Sequence, residues 1–450
     1  MKSRTLSAKL WITACALMGL SFAACDSASP SRTVEHAPSP SPPAAENAPT
    51  YSLAPFPAQS GSADRETAQD ESLAGFHDFG DANFERLIRK MRLLQSGSAP
   101  AGTVVRITQF GDSHTASDTI TSGLRQLLQA RYGDAGIGWI APMKVPGQNH
   151  QRVKYTSNGW ELSSSRQAKD VFRQKIFPMG GYIATPVKAG AQITVLARDE
   201  NSDMWQARFA IKHWRAPLLV KDANQRQIPL KPPGPAGIWR EVSVKTPLRL
   251  PFTISASTPD AAELGGIWLE KNKASGVVVS AIGTNGITLK NWEYWSGPYQ
   301  WTDQLTASRS DMVIIAFGTN EAIRPDLDIA DMKNVLRESI NTVRRALPES
   351  VIVLVGAPDS LQAKEGAWAC EERLFPMLRE VKRAQLAIAK EERTLFWDWQ
   401  AAMGGPCAID AWLAEGLAKN DLIHLTMEGY RKSAEIFYHD LMALIRKKAQ

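Results

Sequence analysis

This chain of 450 residues has few of the features that mark metal-dependent or membrane-spanning proteins. It has four cysteines, and no His/Cys cluster in it has the ligand spacing of a zinc site. Beyond an apolar run at residues 10–24, no segment is long and apolar enough to span a bilayer. The motifs G-x-S-x-G, G-x-x-x-x-G-K-[ST] and H-E-x-x-H are all missing. These absences disfavour an α/β-hydrolase, a P-loop nucleotidase and a zinc protease.

A strong charge of one sign is also missing. The formal net charge is +6, and three of the basic residues (Lys2, Arg4 and Lys9) lie near the start of the chain. Without them, 49 basic residues stand against 46 acidic ones, a balance of +3. This balance is too weak to predict a nucleic-acid partner. It suits a nearly neutral protein, and it is mildly compatible with an acidic envelope polymer.

The first 24 residues read as a secretory signal peptide, with a basic start and a short apolar run. The run ends in small residues before Cys25, which resembles the cleavage box of bacterial lipoproteins, although Phe22 replaces the usual aliphatic residue. Lipidation of Cys25 would anchor the chain in the cell envelope, in either membrane. The alternative is ordinary cleavage and release into the periplasm. Cys370 and Cys407 remain, and in an oxidising compartment they either pair as a disulfide or stay as two buried thiols.

The rest of the chain divides by composition and periodicity. Residues 25–75 are rich in Pro, Ser and Ala without hydrophobic period, which predicts a disordered tether. Residues 76–144 and 276–450 alternate continuous apolar strands with amphipathic helices, as in a parallel sheet covered on both faces. Residues 145–275 instead show short alternating runs separated by Pro and Gly, which predicts an inserted antiparallel β module. The fold class is therefore α/β with a β-rich insert.

Polar motifs follow several of the predicted parallel strands. Ser113, in Gly-Asp-Ser-His-Thr, follows the strand at 103–110, Gly286 follows the strand at 276–282, and Asn320 follows the strand at 311–317. Asp421 and His424 precede the last helix, and His424 is the one histidine of seven with Asp three residues before it. Because ligands bind at the carboxyl ends of parallel strands, we expect these residues to meet at one edge of the sheet.

The residue types in this set are those that acyl transfer needs. Ser113 is the expected nucleophile, His424 its general base, and Asp421 the group that orients the imidazole. The N–H groups of Ser113 and Gly286 and the side-chain amide of Asn320 are the expected oxyanion donors. No metal or other cofactor is needed for this chemistry. Taken singly, each motif is more typical of an ordinary turn, a cap or a surface histidine, so the prediction rests on their joint occurrence.

These blocks resemble the four signature blocks of the SGNH (GDSL-type) hydrolase superfamily, over roughly residues 100–145 and 275–445. The resemblance implies a three-layer α/β/α fold with a five-stranded parallel sheet and no metal. Within the superfamily, Gly111–Ala116, residues 133–139 and the β-rich insert are most similar to Gram-negative peptidoglycan O-acetylesterases. That likeness implies a jelly-roll-like, carbohydrate-binding module at 145–275 and removal of acetyl groups from the C6 hydroxyl of muramic acid.

Other functions fit the same residues. A glycan O-acetyltransferase would use the same triad, an esterase could act on another acetylated polysaccharide, and a non-catalytic lipoprotein could merely bind glycan. The expected partner is an O-acetylated glycan, with membrane contact only through a lipid anchor, and a monomer is favoured. Trp205, Trp214 and Trp239 of the insert could stack on sugars as a binding platform, but core packing is the simpler role for any one of them. Three tryptophans after Gly286 are instead expected to line the cleft: Trp292, Trp295 and Trp301.

Overall fold

The computed structural model of the chain describes residues 75–167, 176–199, 202–295, 300–364, 366 and 369–448. The predicted signal peptide, Cys25 and residues 26–74 of the predicted tether lie outside these residues. Among the helices of the described ranges, none is both long enough and apolar enough to cross a membrane.

Eighteen strands are formed by the described residues. In chain order they are β1 (Phe76–Asp78), β2 (Val104–Gly111), β3 (Gly136–Ile140), β4 (Val153–Asn158), β5 (Trp160–Ser164), β6 (Tyr182–Pro186), β7 (Ala191–Ala197), β8 (Met204–His213), β9 (Leu218–Lys221), β10 (Gln227–Leu230), β11 (Trp239–Ser243), β12 (Leu248–Arg249), β13 (Phe252–Ala256), β14 (Ala262–Lys271), β15 (Gly276–Gly283), β16 (Met312–Ala316), β17 (Val351–Gly356) and β18 (Leu395–Asp398).

Eleven α-helices accompany them in the described part of the chain. They are α1 (Phe84–Gln95), α2 (Ser113–Ala116), α3 (Thr119–Tyr132), α4 (Gln300–Ser308), α5 (Thr319–Ala322), α6 (Ile329–Ala346), α7 (Cys370–Arg373), α8 (Leu378–Glu391), α9 (Trp399–Met403), α10 (Ala408–Ala414) and α11 (Met427–Lys448). Two 3₁₀ helices cover Ser165–Gln167 and Leu289–Tyr294.

The central sheet has the order β1-β18-β17-β16-β2-β15. Five of its strands are parallel, and β1 joins the edge strand β18 in the antiparallel direction. Strands β16 and β17 are fully apolar because both faces of the sheet are covered, whereas β2 also carries Arg106, Thr108 and Gln109. In β17, Val351, Val353 and Val355 pack toward α1, α3 and α11, while Ile352 and Leu354 pack toward α6 and α8. The predicted three-layer α/β/α fold is confirmed.

Between β2 and β15 the chain forms two antiparallel sheets. One has the order β10-β9-β13-β7-β4, and the other has the order β11-β8-β14-β6-β5, with β12 paired to β8 and β3 paired to β14. Alternate residues of these strands point inward and form a separate apolar core, in which Trp205, Phe209 and Phe252 are fully buried. The antiparallel β insert that the short alternating runs predict is therefore present. The sheet begins at β3, ahead of residue 145.

A disulfide joins Cys370, the first residue of α7, to Cys407, which precedes α10, with the Cα atoms 5.9 Å apart. The sequence left open whether these cysteines form a disulfide or stay as two buried thiols, and the structure has the disulfide. An ion pair between Arg373 and Asp410 connects the same two helices. The disulfide and the ion pair therefore hold α7 and α10 together.

Candidate active site

Three loops leave the central sheet side by side. Strands β16, β2 and β15 are neighbours, and their register sets Ala316 opposite Gly111 and Gly111 opposite Gly283. The chain just beyond each strand carries one of the predicted site residues: Ser113 after β2, Gly286 after β15 and Asn320 after β16. Their convergence follows from strand order and register, as expected for the carboxyl edge of a parallel sheet.

Ser113 begins the short helix α2 directly after β2. The turn needs glycine at Gly111, because a Cβ there would collide with the Thr115 hydroxyl and lie 2.6 Å from the Ala316 carbonyl oxygen. Asp112 caps the turn, since its Oδ1 accepts a hydrogen bond from the His114 N–H at 3.0 Å. This packing leaves the Ser113 side chain partly exposed on top of a buried turn.

A chain of hydrogen bonds runs from Asp421 through His424 to Ser113. The distance from Asp421 Oδ2 to His424 Nδ1 is 2.8 Å, and the distance from His424 Nε2 to Ser113 Oγ is also 2.8 Å. Asp421 Oδ1 accepts from the Ile423 and His424 N–H groups at 3.0 and 2.8 Å. With Nδ1 facing the carboxylate, neutral His424 directs its unprotonated Nε2 at the hydroxyl, which is the arrangement that a serine nucleophile needs.

The Asp421 carboxylate is stabilised in its charged form. Its partial burial alone would raise its pKa, but the hydrogen bonds from the backbone N–H and ring of His424 and from the Ile423 N–H keep the pKa below the usual value. The loop is held by backbone bonds from Leu361 N to Leu422 O (2.9 Å) and from Lys419 N to His424 O (2.8 Å). The acid that faces the imidazole is therefore anionic at neutral pH.

The three predicted oxyanion donors also lie at this edge. The N–H groups of Ser113 and Gly286 have no hydrogen-bond acceptor among the described residues. Asn320 Nδ2 donates to Ile287 O at 2.9 Å and reaches Asp112 Oδ2 at 3.4 Å, so the amide bridges the loop after Gly286 and the turn before Ser113. The structure thus brings together all five residues of the predicted set.

Two buried carboxyl groups support these loops. Glu321 accepts hydrogen bonds from the Leu289 N–H at 2.8 Å and from the Gly318 N–H at 3.1 Å, and its burial raises its pKa. Burial, with the charge of Glu321 as a further cause, raises the pKa of Asp112 to about 7. Both acids hold backbone groups in place, so their contacts are structural.

His114 lies beneath His424 and was not recognised from the sequence as part of the site. Its ring centroid is 5.4 Å from that of His424, and its Nδ1 is 2.9 Å from the Tyr430 hydroxyl. Its Nε2 has no hydrogen-bond partner among the described residues. Burial, with the neighbouring His424 as the next cause, lowers the pKa of His114 to about 3. His114 is therefore a neutral imidazole that packs against the candidate base.

Arg166 is a second residue that sequence reasoning missed. If Gly286 had a side chain, its Cβ would lie 3.1 Å from Arg166 Nε. Gly286 also has a positive φ of +72°. Both facts favour glycine there. Arg166 lies in the β-rich insert, far from Gly286 in sequence, and no motif marked it. Only the folded chain brings its cationic side chain over the glycine loop.

The expectation that Trp292, Trp295 and Trp301 line the cleft is wrong. Their exposures are 5, 1 and 7%, and they form a buried cluster in which Trp292 also packs against Phe110 and Phe317. They support the floor of the site from inside the core. In the insert Trp205 and Trp239 are buried as well, whereas Trp214 is 46% exposed.

No group of three or more His, Cys, Asp or Glu side chains in the described ranges is arranged to hold a metal ion. The site described above consists of a hydroxyl, an imidazole, a carboxylate and amide donors. This is the inventory of covalent acyl transfer with electrostatic stabilisation of an oxyanion.

Two family models match the chain. The model described as peptidoglycan O-acetylesterase, N-terminal, matches residues 135–253, and the model of the GDSL-like lipase/acylhydrolase family matches residues 255–432. The first match covers much of the β-rich insert, and the second covers Asn320, Asp421 and His424. Ser113 precedes both matches because the insert separates it from the rest of the motif set.

Among solved structures, the chain is similar to one titled "Peptidoglycan O-acetylesterase in action, 5 min". The identity is 33%, the match covers 83% of this chain and 99% of that chain, and the TM-score is 0.72. A salicylyl-acyltransferase from a tetracycline biosynthetic pathway matches at 14% identity, over 68% of this chain and 97% of that chain, with a TM-score of 0.32. A family two carbohydrate esterase from Clostridium thermocellum in complex with cellohexaose matches at 12% identity over 60% and 95%, with a TM-score of 0.27. These last two scores are too low to bear on fold or function. No curated protein matches the chain.

Proposed function

The chain belongs to the peptidoglycan O-acetylesterase family, and from that membership we propose that it hydrolyses acetyl esters of peptidoglycan with Ser113 as nucleophile. It is a carboxylic ester hydrolase with a GDSL-like domain. The observation that carries the assignment of residues is the Asp421–His424–Ser113 hydrogen-bond chain, in which both distances are 2.8 Å. The acetyl group removed is that on the C6 hydroxyl of muramic acid.

The reaction proceeds in two halves. Ser113 Oγ attacks the acetyl carbonyl carbon while His424 Nε2 takes its proton, and the negative oxygen is stabilised by the N–H groups of Ser113 and Gly286 and the Asn320 amide. His424 then protonates the departing sugar oxygen, which leaves an acetyl group on Ser113. Water, deprotonated by His424, attacks that ester and releases acetate. Asp421 keeps the imidazole oriented and stabilises its protonated form.

A peptidoglycan substrate implies an extracytoplasmic location in the cell envelope. The predicted signal peptide fits this location, and lipidation of Cys25 would keep the enzyme at a membrane. A tether of about fifty residues behind a lipid anchor would allow the catalytic part to reach different points of the wall. Both the anchor and the division of the chain into signal peptide, tether and inserted module are part of the proposal.

The test is acetate release from O-acetylated peptidoglycan by the purified protein and by Ser113→Ala. The variant keeps the fold but has no nucleophile, so we expect its rate to fall by at least about a thousandfold. Ser257→Ala, which changes an exposed serine of the insert, is the matched control and should keep the parent rate.

Three outcomes would count against the proposal. Activity of Ser113→Ala near that of the parent would remove Ser113 as nucleophile. Cleavage of a small aryl acetate without acetate release from peptidoglycan would leave the esterase but discard the substrate. Acetyl groups that appear on an added glycan acceptor in place of free acetate would identify a transferase.

A further inference from the structure

A cavity of about 230 Å³ opens beside the turn that carries Ser113. Its wall includes Ala116, the last residue of that turn, and Gly283, which begins the loop that leads to Gly286. The polar residues that line it are Asp118, Lys144, Gln148, Asn149, His150, Lys154, Tyr155 and Arg198. The cavity therefore shares two backbone segments with the proposed active site but has its own polar lining.

The charge of this lining is positive. Lys144, Lys154 and Arg198 carry three cationic groups, and none of them forms an ion pair within the described part of the chain. Asp118 is the one acidic residue among the described lining residues, and it is already neutralised by Arg125, whose Nη2 lies 2.8 Å from Asp118 Oδ1. Lys144 Nζ donates to Gln148 O at 2.5 Å and Arg198 Nη2 donates to Asn149 Oδ1 at 2.6 Å, but these acceptors are neutral. Three charges without an acidic partner among the described residues favour an anionic occupant.

The loop at 144–151 is fixed against the glycine loop. Gln148 Nε2 donates to Gly283 O at 3.0 Å, and a Cβ on Gly147 would lie 3.0 Å from Asn285 Nδ2, beside Gly286. Farther along, the Gln151 N–H donates to Asp118 Oδ2 at 3.1 Å. The cationic wall is thus held by direct contacts against the loop that carries Gly286, one of the proposed oxyanion donors.

The fold uses one nitrogen of the His150 ring, because Nδ1 accepts a hydrogen bond from the Arg152 N–H at 3.1 Å. The His150 side chain is only 11% exposed, and its Nε2 has no hydrogen-bond partner among the described residues, although Asp118 Oδ2 lies 3.4 Å away. The backbone around it is anchored, because Arg198 Nε donates to His150 O at 2.7 Å. A buried polar atom without a partner is rare, and here it lies in the wall of the cationic cavity.

We propose that this cavity binds a carboxylate on the branch of the acetylated sugar, so that the enzyme recognises the peptide-bearing side of its substrate. The inference rests on the proposed function. Sugar hydroxyls and acetyl esters are uncharged, so a neutral glycan would gain weaker hydrogen bonds from Lys144, Lys154 and Arg198 than an anion would. A carboxylate on the sugar ether or on its attached peptide would gain charge-assisted hydrogen bonds beside the reacting ester.

The test compares three forms of O-acetylated peptidoglycan fragments. One carries the peptide with free carboxylates, one carries the same peptide with its carboxylates amidated, and one lacks the peptide and exposes the carboxylate of the sugar ether. The variants are Lys154→Gln and the double change Lys144→Gln with Lys154→Gln. Lys221→Gln, an exposed lysine on β9 away from the cavity lining, is the matched control, and aryl acetate hydrolysis reports the integrity of the site.

For the carboxylate-bearing fragment we expect Lys154→Gln to raise KM about fivefold, and the double variant about tenfold or more, with kcat unchanged. For the amidated fragment neither variant should change KM, because the charge pair is already lost. Because the sugar-ether carboxyl is tied up in an amide whenever the peptide is attached, loss of the effect on amidation assigns the carboxylate to the peptide. An effect on the peptide-free fragment would show that the cavity also binds the free ether carboxylate.

Equal KM values for parent and variants on the carboxylate-bearing fragment would overturn the cavity proposal, as would an equal rise in KM on the amidated fragment. Failure of the proposed function looks different, since the parent would then release no acetate from any fragment while still cleaving aryl acetate. That result would remove the substrate on which the cavity proposal rests and would overturn both.

Discussion

At the scale of single residues, the environment of the candidate base is set by a second histidine. His114 is fully enclosed between His424, Tyr430 and Trp399, with its ring 5.3 Å from that of Trp399. Protonating it would place a charge in a buried site beside His424, which is why its pKa is lowered to about 3. A neutral, packed imidazole presents a flat wall that limits rotation of the His424 ring.

This environment makes a prediction about pH and stability. Between about pH 6.5 and pH 3 the unfolded chain binds a proton at His114 more readily than the folded chain does, so acidification through this window lowers the free energy of unfolding. Asp112 acts in the opposite direction, because its folded-state pKa of about 7 favours the protonated folded chain between about pH 7 and pH 4. The two contributions partly cancel in the parent protein.

In His114→Leu only the Asp112 contribution remains. We therefore expect the free energy of unfolding of the variant to rise relative to that of the parent as pH falls from about 6.5 to 4.5, by up to about 1.4 kcal/mol per pH unit. Urea unfolding at several pH values measures this difference. His439→Leu, which removes an exposed imidazole, is the control, and a pH-independent difference for His114→Leu would contradict the prediction.

At the scale of elements, the site depends on the alignment of loops that follow different strands. Glu321, in α5, accepts hydrogen bonds from Gly318 N and from Leu289 N, at the start of the 3₁₀ helix after Gly286. Its carboxylate thus joins the loop after β16 to the loop after β15. The Asn320 amide makes a second link between the same loops through Ile287 O. Together these contacts set the positions of two of the three proposed oxyanion donors.

Removing the Glu321 carboxylate should therefore affect both stability and rate. Glu321→Ala leaves two buried N–H groups without acceptors, and we expect a loss of about 2–4 kcal/mol in the free energy of unfolding. Because the donors shift, kcat should also fall about ten- to a hundredfold, with a smaller change in KM. Glu321→Gln keeps one acceptor oxygen and should lie between the parent and the alanine variant.

Denaturant unfolding and acetate-release kinetics measure these two effects. Glu338→Ala, which removes an exposed carboxylate from α6, serves as the comparison and should leave both quantities nearly unchanged. A destabilised Glu321→Ala with parental kcat would mean that this carboxylate supports the fold without positioning the donors.

At the scale of the whole molecule, the antiparallel insert and the parallel sheet share part of their core. Trp139, Tyr182 and Trp268 of the insert belong to the same buried cluster as Phe110 and Trp292 beside the central sheet. A partly buried ion pair adds to this contact, since Arg106 of β2 binds both carboxylate oxygens of Glu270 in β14, at 2.8 and 2.7 Å. The insert is therefore packed into the catalytic fold along a continuous apolar and ionic contact.

This shared core predicts that the insert and the parallel sheet unfold together. Tryptophan fluorescence and far-ultraviolet circular dichroism should give one coincident denaturant transition. Arg106→Leu leaves the partly buried Glu270 carboxylate with the more distant Arg208, at 3.8 Å, and should lower the free energy of unfolding by about 1–3 kcal/mol in that single transition. The double change with Glu270→Leu should recover part of the loss, and two separate midpoints for the parent would refute the prediction.

The sequence by itself determined the strands, the helices and the order of the motifs. Buried parallel strands read as largely apolar runs, and this local signal placed β2, β15 and β16 within a residue or two. Because ligands meet parallel sheets at one edge, strand identity also sufficed to predict that Ser113, Gly286 and Asn320 lie together, whereas Asp421 and His424 were expected to reach that edge from the loop before the last helix.

Only the tertiary structure decided which side chains surround that set. Trp292, Trp295 and Trp301 follow Gly286 closely in sequence but turn into the core, because three large apolar rings gain more by packing with Phe110 and Phe317 than by lining a wet cleft. Arg166 over Gly286, Glu321 beneath the loops and the cationic cavity all depend on contacts between segments far apart in the chain. Such contacts leave no periodic or motif signature, so they appear only once strand order and loop packing are fixed.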